Sequence, residues 1–439
     1  MSDTGHPDHG QLESNWAGNY TYAGEVIRPG SVEALQELVA HCAKVGFLGS
    51  RHSFNAIADS DVLIDMRALP QEIEVDRERR RVTVSGGTTY GALAPVLQEH
   101  GVALANLASL PHISVAGAIS TATHGSGAGV GSLATAVSAL EIVGANGELV
   151  RIAREDPEFA GCVVSLGALG AIVRVELEVE PTYEVTQSVL EHIPWSVLSG
   201  DLRTVMASTY SVSLFTLWEG EVTQGWFKAR TDRSGSVRPE TDRIGSTQAE
   251  QDQPKPGSAI RGGTPATRDL HPLGLSPENS TPQLGIPGSW FERLPHFRLG
   301  FTPSVGDEIQ SEYLIDWENG EAAIEAMLRL GPSIREVLQI SEIRTVAGDE
   351  LWLSPAHGRD TMAIHFTWRP EPTAVKAALR IVEDALLPLG ARPHWGKVFL
   401  ADRQYLADSY PMLERFTALA GRFDPRGAFR NDWLDVHVF

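Results

Sequence analysis

The chain of 439 residues has only two cysteines, Cys42 and Cys162. Both stand in apolar stretches, so they supply neither a disulfide framework nor a spaced thiolate cluster. No metal site is expected, and free thiols suit a reducing compartment. Long apolar runs are also missing: nothing approaches the roughly 20 residues of a membrane span. The opening MSDTGHPDHGQLESN lacks the basic segment and apolar run of a secretory signal. A cytoplasmic protein with no membrane partner is expected. Positive charge is short as well, with 36 Lys plus Arg against 56 Asp plus Glu and a formal charge of −20. That balance opposes nonspecific contact with nucleic acid, which is not expected as a partner, but it does not repel a neutral or cationic small molecule. No G-x-G-x-x-G turn follows a strand, and no G-x-x-x-x-G-K-[ST] loop occurs, which excludes the two commonest phosphate-binding signatures.

What is present reads as mixed α and β structure long enough for two domains. Residues 28–43 have helical apolar spacing at Val32, Leu35, Val39 and Cys42, with Ser31 placed to cap the N-terminus. A short strand ending at Leu48 follows, then strands over 63–66 and 81–84 and a helix over 90–99. Apolar runs flank Asn146-Gly147 within 138–152, the pattern of a hairpin with a tight turn. Residues 172–180 alternate as a half-exposed strand does. Pro181 marks a boundary, beyond which aromatics such as Phe215, Trp218 and Trp226 accompany a strand over 211–217. Residues 231–289 are crowded with Gly, Pro, Ser, Thr and Gln, and read as a long, partly disordered surface excursion, either a plain insertion or a cover for a cleft. Helices return over 322–330 and 373–386, and no internal repeat stands out.

Two groups of residues carry chemistry. In the first, residues 49–55 read GSRHSFN, Gly86-Gly87 offers another turn, and Ser109, Ser114, Gly117, Ser120, Thr121, Gly125, Ser126 and Gly127 crowd small donors into a short length. Such residues let backbone N–H groups approach a bulky anionic cofactor, and they equally suit a glycine-rich scaffold loop. In the second, Glu342 and Arg344 are two apart and would share one face of a strand, as a surface ion pair or as a binding pair. Lys397 in PHWGK adds a second cation. A carboxylate that accepts and cations that donate would together orient a neutral molecule bearing several hydroxyls.

The motifs NWAGNY at 15–20, GSRHSFN at 49–55, SLPHISVAG at 109–117, THGSG at 123–127 and SLGALG at 165–170 resemble those of the sugar-alcohol oxidases. So do EIRTVAGD at 342–349, HFTW at 365–368, RPHWGKVF at 392–399 and DPRGAFRN at 424–431. These alditol or xylitol oxidases belong to the vanillyl-alcohol oxidase and p-cresol methylhydroxylase superfamily of FAD enzymes. The resemblance covers nearly the whole chain, and its C-terminal motifs are the more specific.

The resemblance implies an α+β fold of two domains. An FAD-binding PCMH-type domain would span 1–183, a substrate cap 184–391, and residues 392–439 would return to the first domain, with the active site between the two. It implies FAD bound covalently through His52, with further contacts from Gly49, Ser50, Arg51, Ser53, Ser109, Ser114, Val115, Ala116, Gly117, Ala118, Ser120, His124, Gly170 and Ile172. Some relatives use a second, cysteine attachment, but residues 109–129 contain no cysteine, so one bond is expected. The wider superfamily often has glycine where this chain has Arg51, which is strained if the position requires a positive φ.

Substrate contacts carry over to Ser109, Glu342, Arg344 and Lys397, with Thr367, His365 and Tyr90 as nearby candidates. The implied reaction oxidises the terminal hydroxyl of a polyol such as xylitol or sorbitol to the aldose, with hydride passing to FAD and dioxygen reduced to hydrogen peroxide. Lys397 and Arg344 would stabilise charge on the substrate oxygen and Glu342 would fix neighbouring hydroxyls. His365 would serve as a base or as a structural hydrogen-bonding residue. Ala108 is small at the position suspected of controlling oxygen access. A dehydrogenase with another electron acceptor is the alternative.

Overall fold

The computed structural model describes residues 13–231, 262–300 and 308–439. Helix Val32–His41 starts where Ser31 Oγ accepts the Ala34 N–H at 3.2 Å, and it buries Leu35 and Val39. It packs beside a parallel sheet of Glu25–Ile27, Val62–Asp65 and Val45–Leu48, in that spatial order, so that the last strand in sequence lies in the middle. An antiparallel sheet follows the order Ile73–Asp76, Arg81–Ser85, Ala171–Glu178, Val137–Val143, Leu149–Ala153. The helix over Tyr90–Glu99 lies in the same core.

The hairpin at Asn146-Gly147 forms, with a longer loop than a two-residue turn. Gly144 N–H donates to Glu148 O and Gly147 N–H to Gly144 O, both at 2.9 Å, so residues 145–147 make the loop and Gly147 takes its left-handed position at φ 80°. Glycine serves the end of the loop here rather than the centre of a two-residue turn.

The second core is built on a sheet of nine strands among the described residues. Its path runs Thr264–Pro265, Glu184–Pro194, Glu221–Thr231, Ser211–Thr216, Leu338–Val346, Thr361–Trp368, Ile309–Asp316 and Arg392–Pro393, with Gly288–Ser289 also pairing Glu184–Pro194. Helices Gly320–Ile334 and Pro372–Leu386 cover one face, where Met327, Ile334, Leu379 and Val382 meet Tyr313, Ile343, Ile364 and Phe366. Strand alternation therefore turns Gln310, Glu312, Glu342, Arg344, His365 and Thr367 to the other face. Register places His365 opposite both Glu342 and Glu312, so polar residues far apart in sequence form one row.

The expected excursion over 231–289 is corrected in part. Residues 232–261 lie outside the described residues. Residues 262–289 are packed: Leu270, Ser280, Thr281 and Gln283 are buried. The Gln283 side chain accepts from Leu270 N at 3.0 Å and donates to Leu270 O at 2.8 Å. Hydrogen bonding in place of periodic apolar burial holds this stretch, which is why its composition resembles a loose loop.

Residues beyond 392 serve both halves. Strand Arg392–Pro393 closes the edge of the large sheet, while Trp395, Leu406, Tyr410, Phe416 and Leu419 pack with Val84, Val175 and Leu177. Among the described residues no helix is long and apolar enough to cross a membrane.

Gly170 marks a backbone position that only glycine fits. Its φ is 126°, and an added Cβ would lie 2.2 Å from Val143 O. Gly167, at φ 80°, has open space where a Cβ would go. Gly167→Ala should therefore cost about 1–2 kcal/mol from backbone strain alone, while Gly170→Ala should cost distinctly more. Chemical denaturation of both variants checks the order, and equal losses would contradict the steric reading.

Candidate active site

Residues 49–55 and 392–399 are stitched together. Phe54 N–H donates to Gly396 O at 2.8 Å, and Asn55 Nδ2 donates to the carbonyls of Trp395 and Lys397, each at 2.8 Å. Asn15 holds the loop from the other side, donating to Ser53 O at 2.8 Å. Ser50 and Ser114 bond reciprocally: Ser114 N–H donates to Ser50 Oγ at 2.9 Å and Ser50 N–H to Ser114 Oγ at 3.3 Å. A Cβ at Gly49 would stand 2.1 Å from Ser114 Oγ, so glycine is what allows this approach. Arg51 does have φ 60°, the strained alternative of its sequence reading, and it is held there by an ion pair with Glu13.

These loops open on a cavity of about 480 Å³ that continues to the polar face of the large sheet. Every residue carried over as a flavin contact lines it except Val115, which is packed in the core behind the wall and donates its N–H to Thr88 O at 2.8 Å. Ser109, Glu342, Arg344, His365, Thr367 and Lys397 all line the same cavity. Tyr90 does not. Its ring lies in the core with the hydroxyl buried and unpartnered, so its candidacy as a substrate contact is corrected: the start of helix Tyr90–Glu99 faces inward.

His52 stacks on Trp16 with ring centroids 5.1 Å apart, and both of its ring nitrogens are buried without a hydrogen-bond partner. Burial pushes its pKa down to about 4, so the imidazole is neutral. Nε2 of His124 is also buried without a partner, while its Nδ1–H donates to Gly125 O at 2.8 Å. Unsatisfied nitrogens are costly in a protein interior. With the small residues beside them, they fit a flavin, for which a neutral imidazole nitrogen is a suitable point of attachment.

Glu312, which the sequence reading missed, is the centre of the polar face. Its side chain is 1% exposed. One oxygen pairs with Arg344 Nη2, and the other accepts from Lys397 Nζ at 2.7 Å. His124 Nε2 lies 3.4 Å away and His365 Nδ1 3.9 Å away. Burial alone would raise the pKa of Glu312, but Arg344 and then Lys397 outweigh it and hold the carboxyl well below the usual range. Glu342 behaves alike. Burial opposes its ionisation, and Arg344 with His296, whose Nε2 lies 2.8 Å from Glu342 Oε1, overcomes it. A signal for Glu312 did exist: Gln310 and Glu312 alternate in IQSEYLID as Glu342 and Arg344 do in EIRT.

Lys397 also donates to His365 Nδ1 at 2.8 Å. An ammonium has no acceptor, so Nδ1 must accept, and the ring proton sits on Nε2, facing Thr367 Oγ1 at 3.2 Å. Burial and the neighbouring Lys397 charge keep His365 neutral by lowering its pKa well below the usual value. Arg344 Nη1 lies 3.5 Å from Ser109 Oγ, joining the large sheet to the flavin side. The central set thus holds two carboxylates against Arg344 and Lys397, a balanced group that can orient hydroxyls without attracting net charge.

Comparison with known proteins defines the family. The family described as an FAD binding domain matches residues 24–153, and that described as D-arabinono-1,4-lactone oxidase matches residues 307–437. An alditol oxidase of a Streptomyces species is 47% identical over 96% of this chain and 97% of its own. An L-gulono-1,4-lactone dehydrogenase of Mycobacterium tuberculosis is 30% identical over 96% of this chain and 97% of its own. The fold is shared with the crystal structure of cholesterol oxidase from B. sterolicum, with TM-score 0.72, 16% identity, and 99% of each chain covered. The protein is an FAD-dependent oxidoreductase of the vanillyl-alcohol oxidase type, with an FAD-binding domain and a separate substrate domain rich in β structure. Within that class the chain belongs to the alditol oxidase family.

Burial lowers the pKa of three histidines, His52, His124 and His296, from 6.5 to about 4. Between those values the unfolded chain binds more protons than the folded one, so stability falls as pH falls through the window. Thermal unfolding of the flavin-free protein should therefore shift to lower temperature from pH 7 to pH 5. A flat profile there would contradict the buried, neutral assignment.

Proposed function

We propose that the protein is an alditol oxidase, oxidising the terminal hydroxyl of polyols such as xylitol and sorbitol to the aldose and reducing dioxygen to hydrogen peroxide. The observation that carries this reading is the charge-balanced row of Glu312, Glu342, Arg344 and Lys397 beside a cavity that reaches His52. FAD, when bound, supplies the two-electron acceptor and passes the electrons to dioxygen.

The residues of the chain do the rest. Arg344 and Ser109 hold the reacting end, and Glu342 accepts a hydrogen bond from a neighbouring hydroxyl. Lys397 Nζ donates to the oxygen whose carbon is oxidised and stabilises its developing negative charge. For the hydroxyl to lose its proton, Lys397 first releases one of its own to His365 Nδ1, the acceptor it already contacts, and the lone pair so freed takes the hydroxyl proton, restoring the ammonium. His365 is thus a base reached through Lys397, and Thr367 fixes its ring. His52 holds the cofactor covalently. Ala108 lines the cavity next to Ser109, which favours dioxygen entry. The similarity to a lactone dehydrogenase keeps transfer to another acceptor as the second reading, and turnover with dioxygen as sole acceptor decides between them. The free thiols Cys42 and Cys162 favour the cytoplasm.

His52→Ala should abolish covalent attachment and leave FAD binding measurable, since the other flavin-side residues are untouched. Denaturation should then release all the flavin. Yellow flavin left on the denatured variant would show a second attachment point.

Lys397→Met should retain oxidised FAD and slow its anaerobic reduction by saturating xylitol, by about 2–4 kcal/mol of lost transition-state stabilisation. Rapid mixing measures that step directly. An unmodified rate at saturation would reject the role of Lys397 in the transition state.

A further inference from the structure

Behind Glu342 lies a lysine that does not line the cavity. Lys228, on strand Glu221–Thr231, is 1% exposed. Its ammonium contacts three acceptors: Leu294 O, Pro295 O at 3.2 Å and His296 Nδ1 at 3.2 Å. Desolvation pushes the pKa of Lys228 down to about 7, against the pull of the Glu342 charge.

The contact with His296 has a directional consequence. As an ammonium Lys228 donates and does not accept, and the ionised Glu342 carboxylate only accepts, so His296 Nδ1 carries the lone pair and Nε2 the proton. That Nε2–H is the one facing Glu342 Oε1 at 2.8 Å. The ring cannot turn away easily, because Phe215 and Trp226 pack edge-on against it at 5.5 and 5.1 Å.

The same loop reaches Ser109. The N–H groups of His296 and Phe297 donate to Ser109 O at 3.2 and 3.4 Å, and Thr281 Oγ1 donates to Pro295 O at 2.8 Å. One buried cation therefore fixes a loop that touches both a residue of the flavin side and the carboxylate of the large sheet.

We propose that Lys228 is a positioning residue for polyol recognition: by binding the carbonyls of Leu294 and Pro295 and fixing the tautomer of His296, it holds Glu342 ionised and oriented as a hydroxyl acceptor, with Ser109 beside it. This rests on the reading of Glu342 as a hydroxyl-binding residue. Lys228 acts through His296 and the loop that carries it and does not touch the substrate, so its loss weakens selection between hydroxyl patterns and leaves the oxygen stabilised by Lys397 in place.

The test pairs Lys228→Met with Glu342→Gln, each alone and combined, on the FAD-loaded enzyme. Xylitol is compared with the matched alditol lacking its second hydroxyl. In Lys228→Met, kcat/KM for xylitol should fall roughly 10- to 100-fold, mainly through KM, as expected for a weakened charge-assisted hydrogen bond. The deoxy substrate should lose little, and adding Lys228→Met to Glu342→Gln should cost little more. Equal losses for both substrates and in both backgrounds would show a merely structural lysine and overturn the proposal, as would an unmodified kcat/KM.

A second readout does not use activity. In flavin-free protein labelled with ¹⁵N-histidine, the His296 signal, assigned by its loss in His296→Gln, should report one Nε2–H tautomer, and a mixture in Lys228→Met. Persistence of the single tautomer in Lys228→Met would overturn the proposal. Should Lys228→Met not fold, Lys228→Gln, whose amide can accept as well as donate and so no longer dictates the His296 tautomer, carries both arms with the same outcomes. If the unmodified enzyme uses the two substrates equally, the polyol reading fails on its own, whereas the tautomer readout still tells whether Lys228 orders His296.

Discussion

The structure depends on keeping one carboxylate charged where water cannot reach it. Glu312 is buried on the polar face of the large sheet, and Arg344 and Lys397 are both bonded to it. A buried ion pair is a weak source of net stability, but removing one partner leaves an uncompensated charge, typically at a cost of about 3–5 kcal/mol. The three groups therefore have to be placed together. Arg344 comes from the strand Leu338–Val346, Glu312 from Ile309–Asp316 and Lys397 from the returning C-terminal segment. Asn55 ties that segment to the loop of His52 by bonding the carbonyls on either side of Gly396. The ion cluster thus sets the distance between the substrate-binding face and the flavin side.

The same arrangement suits a neutral ligand with several polar groups. With Glu312 and Glu342 balancing Arg344 and Lys397, the cavity holds strong donors and acceptors but little net charge, in a chain whose formal charge is −20. Groups of this kind are already oriented before a ligand arrives, and little reorganisation is needed when charge develops on a substrate oxygen. His365, Thr367, His296 and Lys228 extend the network on either side, each fixing the orientation of a neighbour rather than adding a new charge to the cavity.

Local elements were legible in the sequence wherever one pattern decided them. Ser31 and the spacing of Leu35 and Val39 defined the first helix, and Glu342 and Arg344 were placed on one face by strand alternation alone. The flavin loops were recognisable because motifs, rather than propensities, carried them. What was not legible depended on tertiary burial. Glu312 shares only a polar alternation with Gln310 in IQSEYLID and belongs to no motif, and Lys228 in WFKAR belongs to none either. Only the fold places Leu294, Pro295 and His296 around that lysine. Residues 262–289 resembled a loose insertion because side-chain amides and hydroxyls, such as those of Gln283 and Thr281, replace an apolar pattern. Tyr90 illustrates the reverse error: a resemblance suggested a contact, and the inward face of its helix removed it from the cavity.

The central claim, that Glu312 keeps Lys397 charged and in place, is tested most directly by the pH profile of anaerobic flavin reduction in Glu312→Gln. Burial lowers the proton affinity of Lys397 and the Glu312 charge raises it. Removing that charge should let Lys397 lose its proton at lower pH, so the variant's reduction should be slower and its rate should decline at lower pH than in the unmodified enzyme. A variant that reduces its flavin at the unmodified rate, with an unshifted profile, would contradict the account.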